Sequence, residues 1–441
     1  MMPYASYKPS GVPWLGDVPS HWQVEKVKFQ TRLRGEKAVG TNGVRYVGME
    51  HVLSKVGKFN PIVEGTQEEA ESTVNVFLKG DVLFGKLRPY LAKCVVADAD
   101  GVCSSEFLVL APSDDVVPAY LNSTMLMQEF TDAVDASTFG AKMPRADWGF
   151  IGQQRLPHPP PDEQLAIADY LDIETTRIDT LIHEKDELIG LLREARSSRI
   201  SELISGDSLP GKPTGNPWAP HLPDGWKFKR LKHLAQVRSG LAKGKDSGDN
   251  VTVELPYLRV ANVQEGRLDL REISTMPVEV DAVERFSLVE GDVLMNEGGD
   301  YDKVGRGAVW TGEISPCLHQ NHVFAVRPVE RDLSEWLSAI TQTQYAKFYF
   351  INNAKQSTNL ASISQTTVRE LPILLPPKAQ RDALLGTLGA ELAAFDNLIA
   401  HTNDEIMLLK ELRAATIADA VLGRIDVRTA HTIPLACRET Q

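Results

Sequence analysis

Cysteine is scarce in this chain of 441 residues: Cys94, Cys103, Cys317 and Cys437 stand alone, with no C-x-x-C pair and no histidine at zinc-finger spacing. A disulfide framework and a zinc finger are therefore excluded, and ordinary reduced thiols are expected. Long apolar runs are missing too. None approaches the roughly 20 residues that span a bilayer. The opening "MMPYASYKPSGVPWLG" has no apolar signal core, so an intracellular, soluble, cytoplasmic chain without a membrane role is expected. Catalytic motifs are also lacking. "GDSLPGKP" at 206–213 follows a phosphate loop only as far as Pro213, which stands where a hydroxyl should hold magnesium. It also follows a helical stretch instead of opening one, and reads as a linker. There is no Asn-Pro-Pro-aromatic tetrapeptide, no G-x-S-x-G and no H-E-x-x-H, and "PDEQ" reads as a helix start. The chain is expected to be non-catalytic by itself and to bind no metal or cofactor of its own. Finally, positive charge is in deficit, with a formal net charge of -12. As a sum this argues against a nucleic-acid partner, but an electrostatic footprint depends on where charges lie.

What the sequence does contain is a repeat. "PWLGDVPSHW" at 13–22 returns as "PWAPHLPDGW" at 217–226, so that a shift of 204 aligns Pro13 with Pro217, Trp14 with Trp218, Pro19 with Pro223 and Trp22 with Trp226. Further on the offset grows slowly. "GDVLF" at 80–84 meets "GDVLM" at 291–295, "FLVLAP" meets "VFAVRP", "PPDEQ" meets "PPKAQ", and "IDTLI" meets "FDNLI". Landmarks in constant order with a drifting offset indicate duplication, with a period too long for a solenoid. The chain is two copies of one unit.

Each unit begins with short β-type runs punctuated by Gly, Asp and Pro, followed by helical patterns such as "PAYLNSTMLMQEFTDAV" and "SEWLSAITQTQYAKFYF". This predicts an α+β protein with two homologous mixed α/β domains of ordinary size, at 1–160 and 207–377. Each is followed by a long helix, at 161–206 and 378–423, and a tail occupies 424–441. In the first helix the apolar residues Leu171, Ile178, Leu181, Ile182, Leu188, Ile189 and Leu192 mark one stripe. In the second, Phe395, Leu398, Ile399, Ile406, Leu409 and Leu412 do the same. Lys185 and Thr402 interrupt the two stripes at matching positions, as register-setting polar residues do in coiled coils. Stripes this long are expected to pack against each other as an antiparallel coiled coil; the alternative is that each helix folds back on its own domain.

Basic residues cluster. Residues 225–245 hold Lys227, Lys229, Arg230, Lys232, Arg238, Lys243 and Lys245 with no acid among them. Basic or amide-rich loops recur at 85–93, 140–149, 303–307 and 354–362. Arg pairs with guanine, Asn with adenine and Lys with phosphate, so these loops are candidates for DNA contact. The candidates are Arg34, Lys86, Arg88, Lys142 and Arg145 in the first half, and Arg238, Lys243, Arg259, Asn262, Arg306, Lys355 and Asn359 in the second.

The ordered double set resembles the DNA-specificity subunit of type I restriction-modification enzymes over nearly the whole chain: the Pro-and-Trp opening, "GDVLF", "GAKMPRADW", "LPHPPPDEQ" and a long helix. The resemblance implies that each domain reads one half of a bipartite, asymmetric site in double-stranded DNA. It also implies that the helices set the gap and dock methyltransferase subunits, expected to number two. S-adenosylmethionine, ATP and magnesium are then used by those and by the restriction and translocase subunits. The alternative is a stand-alone DNA-binding or decoy protein derived from such a subunit. Departures are mild: "PPKAQ" lacks the acidic pair of "PPDEQ", and Glu405 stands opposite Leu188 in the repeat. A helix of about 35 residues would be roughly 50 Å long, suited to half sites about one DNA turn, some 34 Å, apart. With partner subunits closing round the duplex, the acidic net charge is accommodated.

Overall fold

The computed structural model describes residues 3–40, 44–61, 73–138, 143–242, 251–300, 303–356 and 361–428. The chain divides into two compact units, the first made of Met1–Lys185 with Asn403–Gln441 and the second of Asp186–Thr402. The two long helices, Pro161–Ser205 and Lys378–Val421, are thus shared, each giving part of its length to each unit.

In the first unit strands β1 (Thr31–Leu33), β2 (Val82–Gly85), β3 (Cys94–Val96) and β4 (Phe107–Pro112) form an antiparallel sheet of order β1-β4-β2-β3. In the second, β5 (Ala235–Ser239), β6 (Val293–Asn296), β7 (Gly307–Val309) and β8 (Val323–Pro328) take the same order, β5-β8-β6-β7. Beside each sheet lies a parallel pairing, Tyr46 opposite Val102 in one unit and Tyr257 opposite Leu318 in the other. These partners fall at the repeat offsets, so the duplication extends to strand register. β2 and β6 are buried on both faces, which is why "VLFG" and "VLMN" carry no polar alternation. Cys94, Cys103 and Cys317 are free, buried thiols. Burial pushes the Cys103 and Cys317 thiols up to about 12, so they are protonated.

The repeated Pro-and-Trp motif acts as a clamp. In the first unit Trp22 is fully buried and its Nε1 donates to Glu163 at the start of the first long helix, 2.8 Å away. Gly423, just past the end of the second long helix, turns against the same indole. Its φ is +68°, and a Cβ there would lie 2.5 Å from Pro19 and 2.9 Å from Trp22. In the second unit Trp226 Nε1 donates to Gln380 at the start of the second helix (3.1 Å). Gly206, with φ +66°, ends the first helix against Pro223 and Trp226. A left-handed glycine is the usual stop for a helix, and here a side chain would also collide with the clamp.

The helices run antiparallel within each unit. In the first unit Asp179 accepts from Arg413 (2.8 Å) and Lys185 pairs with Glu405. In the second Arg196 pairs with Asp396 (3.0 Å) and Arg199 with Glu391 (2.6 Å). Residues withdrawn from solvent recur at 171, 175, 178, 182, 185, 189 and 192 on the first helix, and at 388, 392, 395, 399, 402, 406 and 409 on the second. That is a period of 3.5, the seam of a left-handed coiled coil. It includes Lys185 and Thr402, but it corrects the expected stripe. Leu181, Leu188, Leu398 and Leu412 are exposed, at 38%, 44%, 53% and 49%, because they lie one position off the seam. The helices of 45 and 44 residues begin at 161 and 378, with their first turns inside the clamps.

One 18-residue window of the second long helix reaches a mean hydropathy of 1.3, enough by length and composition to cross a membrane and unlike the expectation of no such run. Along that helix Arg381, Glu391, Asp396 and Arg413 are all engaged in ion pairs. Charges at this density oppose lipid and fit a seam between helices.

Candidate nucleic-acid interface

In the first unit the chain leaves β2 and runs alongside residues 144–146. Arg88 N donates to the Pro144 carbonyl (2.8 Å) and Ala146 N to the Lys86 carbonyl (2.9 Å), with Arg88 in the left-handed region at φ +51°. This brings three expected residues, Lys86, Arg88 and Arg145, onto one ribbon. Arg145 holds Glu106 with two hydrogen bonds of 3.0 and 2.9 Å, which raises its pKa and orients its guanidinium. Lys142 lies outside the described residues.

Arg34 is a correction. Its Nε and Nη2 donate to the buried Asp81 at 2.8 and 3.0 Å, and only 15% of its side chain is exposed. Asp81 also accepts from Leu78 N (2.8 Å), so the "GD" turn, its carboxylate and Arg34 form one structural knot. A guanidinium already held by a buried carboxylate is not available to DNA.

The second unit makes the same knot with a different arginine. Asp292 accepts from Val289 N (2.9 Å) and from Arg327 Nε and Nη2, both at 2.7 Å. Arg238, which the repeat places opposite Arg34, is left half-buried. Burial, then the neighbouring Arg327, lower its pKa.

Asn262 is the second correction. It is 3% exposed; its Oδ1 accepts from Arg259 N (2.9 Å), and its Nδ2 donates to the carbonyls of Asp269 (2.8 Å) and Glu272 (2.9 Å). His51 has the same task in the first unit, its Nδ1 accepting from Gly48 N (2.8 Å). Both residues hold a turn and neither is presented to a ligand. Arg259 and Arg306, by contrast, are partly exposed, and Arg306 meets Asn296 at the end of β6 through its backbone. Asn296 N donates to the Arg306 carbonyl (3.1 Å), and its Nδ2 to the Val263 carbonyl (3.1 Å). Asn296 is fully buried, and its Oδ1 has no hydrogen-bond partner among the described residues. The repeat places Gly48, Gly85 and Lys93 at these three positions in the first unit, so this corner differs most between the two copies. Sequence reasoning missed Asn296; the signal was that it interrupts the match between "GDVLFG" and "GDVLMN". Lys355 is exposed on a short strand, Lys355–Gln356, paired with Ala361–Ser362, which in turn pairs with Gly298–Gly299. Lys243 and Asn359 lie outside the described residues.

Comparison with known proteins agrees. Residues 223–407 match the family described as type I restriction modification DNA specificity domain. The chain is 25% identical over 195 residues to the putative type I restriction enzyme MjaX specificity subunit of Methanocaldococcus jannaschii, an alignment spanning 44% of either chain. It is 22% identical to the EcoKI specificity subunit of Escherichia coli, over 72% of this chain and 68% of that one. It is also 22% identical to the MjaIX specificity subunit of M. jannaschii, over 94% and 95%. A solved chain from a study of assembly and conformational transition of the type I R-M system shares the fold, with a TM-score of 0.63 at 20% identity, covering 92% of this chain and 99% of that one. The duplicated units, the clamped helices and these relatives agree: residues 223–407 carry a type I restriction modification DNA specificity domain, and the chain as a whole is similar to type I specificity subunits.

Proposed function

We propose that each unit reads one half of a bipartite, asymmetric site in double-stranded DNA, and that the paired helices set the gap and dock two methyltransferase subunits. The observation that carries this reading is the contrast between frame and corner. Strand order, register and clamp are repeated, while Gly48, Gly85 and Lys93 become Arg259, Asn296 and Arg306. One scaffold with two differing polar surfaces suits two different half sites. Lys86, Arg88 and Arg145 in the first unit, and Arg238, Arg259, Arg306 and Lys355 in the second, are the contacts proposed among the described residues.

The chain acts without catalysis of its own, in the cytoplasm. S-adenosylmethionine, ATP and magnesium belong to the methyltransferase, restriction and translocase partners. Docking falls to the leucines off the seam. Leu181, Leu408 and Leu412 are exposed on the helices of the first unit, and Leu188, Leu191 and Leu398 on those of the second. In the second unit a groove of about 510 Å³, lined by Ala195, Ala394, Phe395 and Leu398, adjoins them. Exposed apolar rows of this kind are surfaces for partner helices. Co-expression with the neighbouring methyltransferase subunit, followed by single-molecule sequencing of methylated adenines, tests the reading. A split motif with a fixed gap is expected, and exchanging residues 1–160 for those of a relative should change one half only. A contiguous motif, or assembly without methylation, would overturn it.

A further inference from the structure

Arg34 and Arg238 stand at the same place in the repeat, at the ends of β1 and β5, yet only Arg34 is neutralised. In the second unit the carboxylate Arg238 would have taken is held by Arg327 on β8, where the first unit has Ala111. Val293 pairs with Val326 and Arg238 with Ala325, so Arg327 lies opposite Asp292 and Arg238 lies on the same face one strand further on. Arg285 is also within electrostatic reach of Arg238 and is exposed. Three guanidinium groups therefore face a single carboxylate. His319, buried beside them, adds no charge: burial lowers its pKa to about 4, and its Nδ1 is hydrogen-bonded to the Val323 carbonyl. A half-buried guanidinium whose neighbouring carboxylate, Asp292, is already hydrogen-bonded to another arginine is unfavourable unless a further anion is supplied from outside. The exposed Arg285 and the partly exposed Arg327 leave the cluster open to one.

We infer that Arg238, flanked by Arg285 and Arg327, forms a phosphate seat in the second unit that takes a backbone phosphate of the DNA. The inference rests on the DNA-reading function proposed above. The planar guanidinium fork matches two phosphate oxygens, and the flanking arginines supply charge without competing for the same hydrogen bonds. The first unit has no such seat, since Arg34 is closed on Asp81. Transfer of one arginine from the edge strand to its neighbour thus converts a structural ion pair into a ligand site and leaves the carboxylate satisfied.

The test uses the full chain assembled with its methyltransferase subunits and measures duplex binding as a function of salt. If the unaltered assembly does not bind duplex DNA, the DNA-reading function itself fails. If it binds, R238Q should weaken binding roughly tenfold. It should also flatten the slope of log K against log salt by about 0.9, without changing the methylated motif. R238K should restore most of the slope. R34Q should lower the melting temperature and leave the slope unchanged, whereas R238Q, which removes an unpaired half-buried charge, should melt no lower than the parent. An unchanged slope in R238Q, or a melting temperature that falls as it does in R34Q, overturns the seat. Protection against melting by inorganic phosphate that depends on Arg238, with the DNA slope unaltered, assigns the site to free phosphate and overturns the DNA assignment.

Discussion

Trp22 and Trp226 hold helix ends in the same geometry but with unlike chemistry. In the first unit the indole donates to a carboxylate, Glu163, which is 3% exposed and also accepts from Tyr4 Oη (3.1 Å) and Arg428 Nη1 (2.9 Å), with His21 Nε2 at 2.7 Å. In the second unit the acceptor is the amide of Gln380, and the charge has moved one residue on to Arg381, which donates to Asp332 (2.7 Å). Gln164, which follows Glu163 as Arg381 follows Gln380, makes its tie with neutral bonds, accepting from Val117 N (2.8 Å) and donating to the Asp115 carbonyl (3.0 Å). Duplication has preserved the need for an acceptor under the indole and for a tie from helix start to loop. It has not preserved the sign of the charge that meets either need. A buried carboxylate recruits a hub of donors, while a half-buried amide is content with one.

The largest effect should come from the hub. Glu163→Ala strands an indole and a phenol together and should lower stability by about 3 kcal/mol. Gln380→Ala removes one neutral bond and should cost about 1 kcal/mol. Calorimetry of the full chain checks the ratio, and equal losses would break the comparison. Next come the knots. Arg34→Ala should cost about 3 kcal/mol by leaving Asp81 buried and unpaired. Arg327→Ala should cost about half as much, because Arg238 lies on the same face and can close on Asp292. The double variant R238A/R327A should then lose the full amount, a coupling read directly from a double-mutant cycle. The smallest effect is a response to acid. His319 is held near a pKa of 4 by burial, below the unfolded value of about 6.5. The unfolded chain therefore takes up the proton first, and the stability present above pH 6.5 is lost as pH falls toward 4, by up to about 3 kcal/mol. The first unit has Cys103 at this place, which stays protonated throughout that window. The second unit should thus melt earlier on acidification, and His319→Cys should flatten its pH profile between 6.5 and 4.

The parts of this architecture that follow from local chemistry were legible in the sequence. Proline, tryptophan and glycine marked the clamps, and the strand landmarks appeared in order at drifting offsets. What depended on partners distant in the chain was not. The apolar stripe takes in Leu181 and Leu188 because the true seam carries Thr175 and Arg196, residues that an apolar pattern skips. Arg34 read as a DNA contact because nothing near it in sequence announces Asp81, 47 residues away. Asn262 read as a base reader because its type is right and only its burial is wrong. Asn296 ends an apolar strand run, and nothing local announces that it is fully buried with its Nδ2 donating to the Val263 carbonyl, 33 residues away.

The placement of Gly423 against Trp22 also has a consequence for synthesis. The second unit occupies one continuous stretch, 186–402, and its last residue leaves the ribosome before any of 403–428 does. The core around Trp22 needs Ile417, Val421, Leu422 and Val427 from that late segment. Domains ordinarily fold in the order in which they are made. Here the order should be reversed: the amino-terminal unit stays incomplete while residues 186–402 are made, and its core can close only once residues 403–428 have followed.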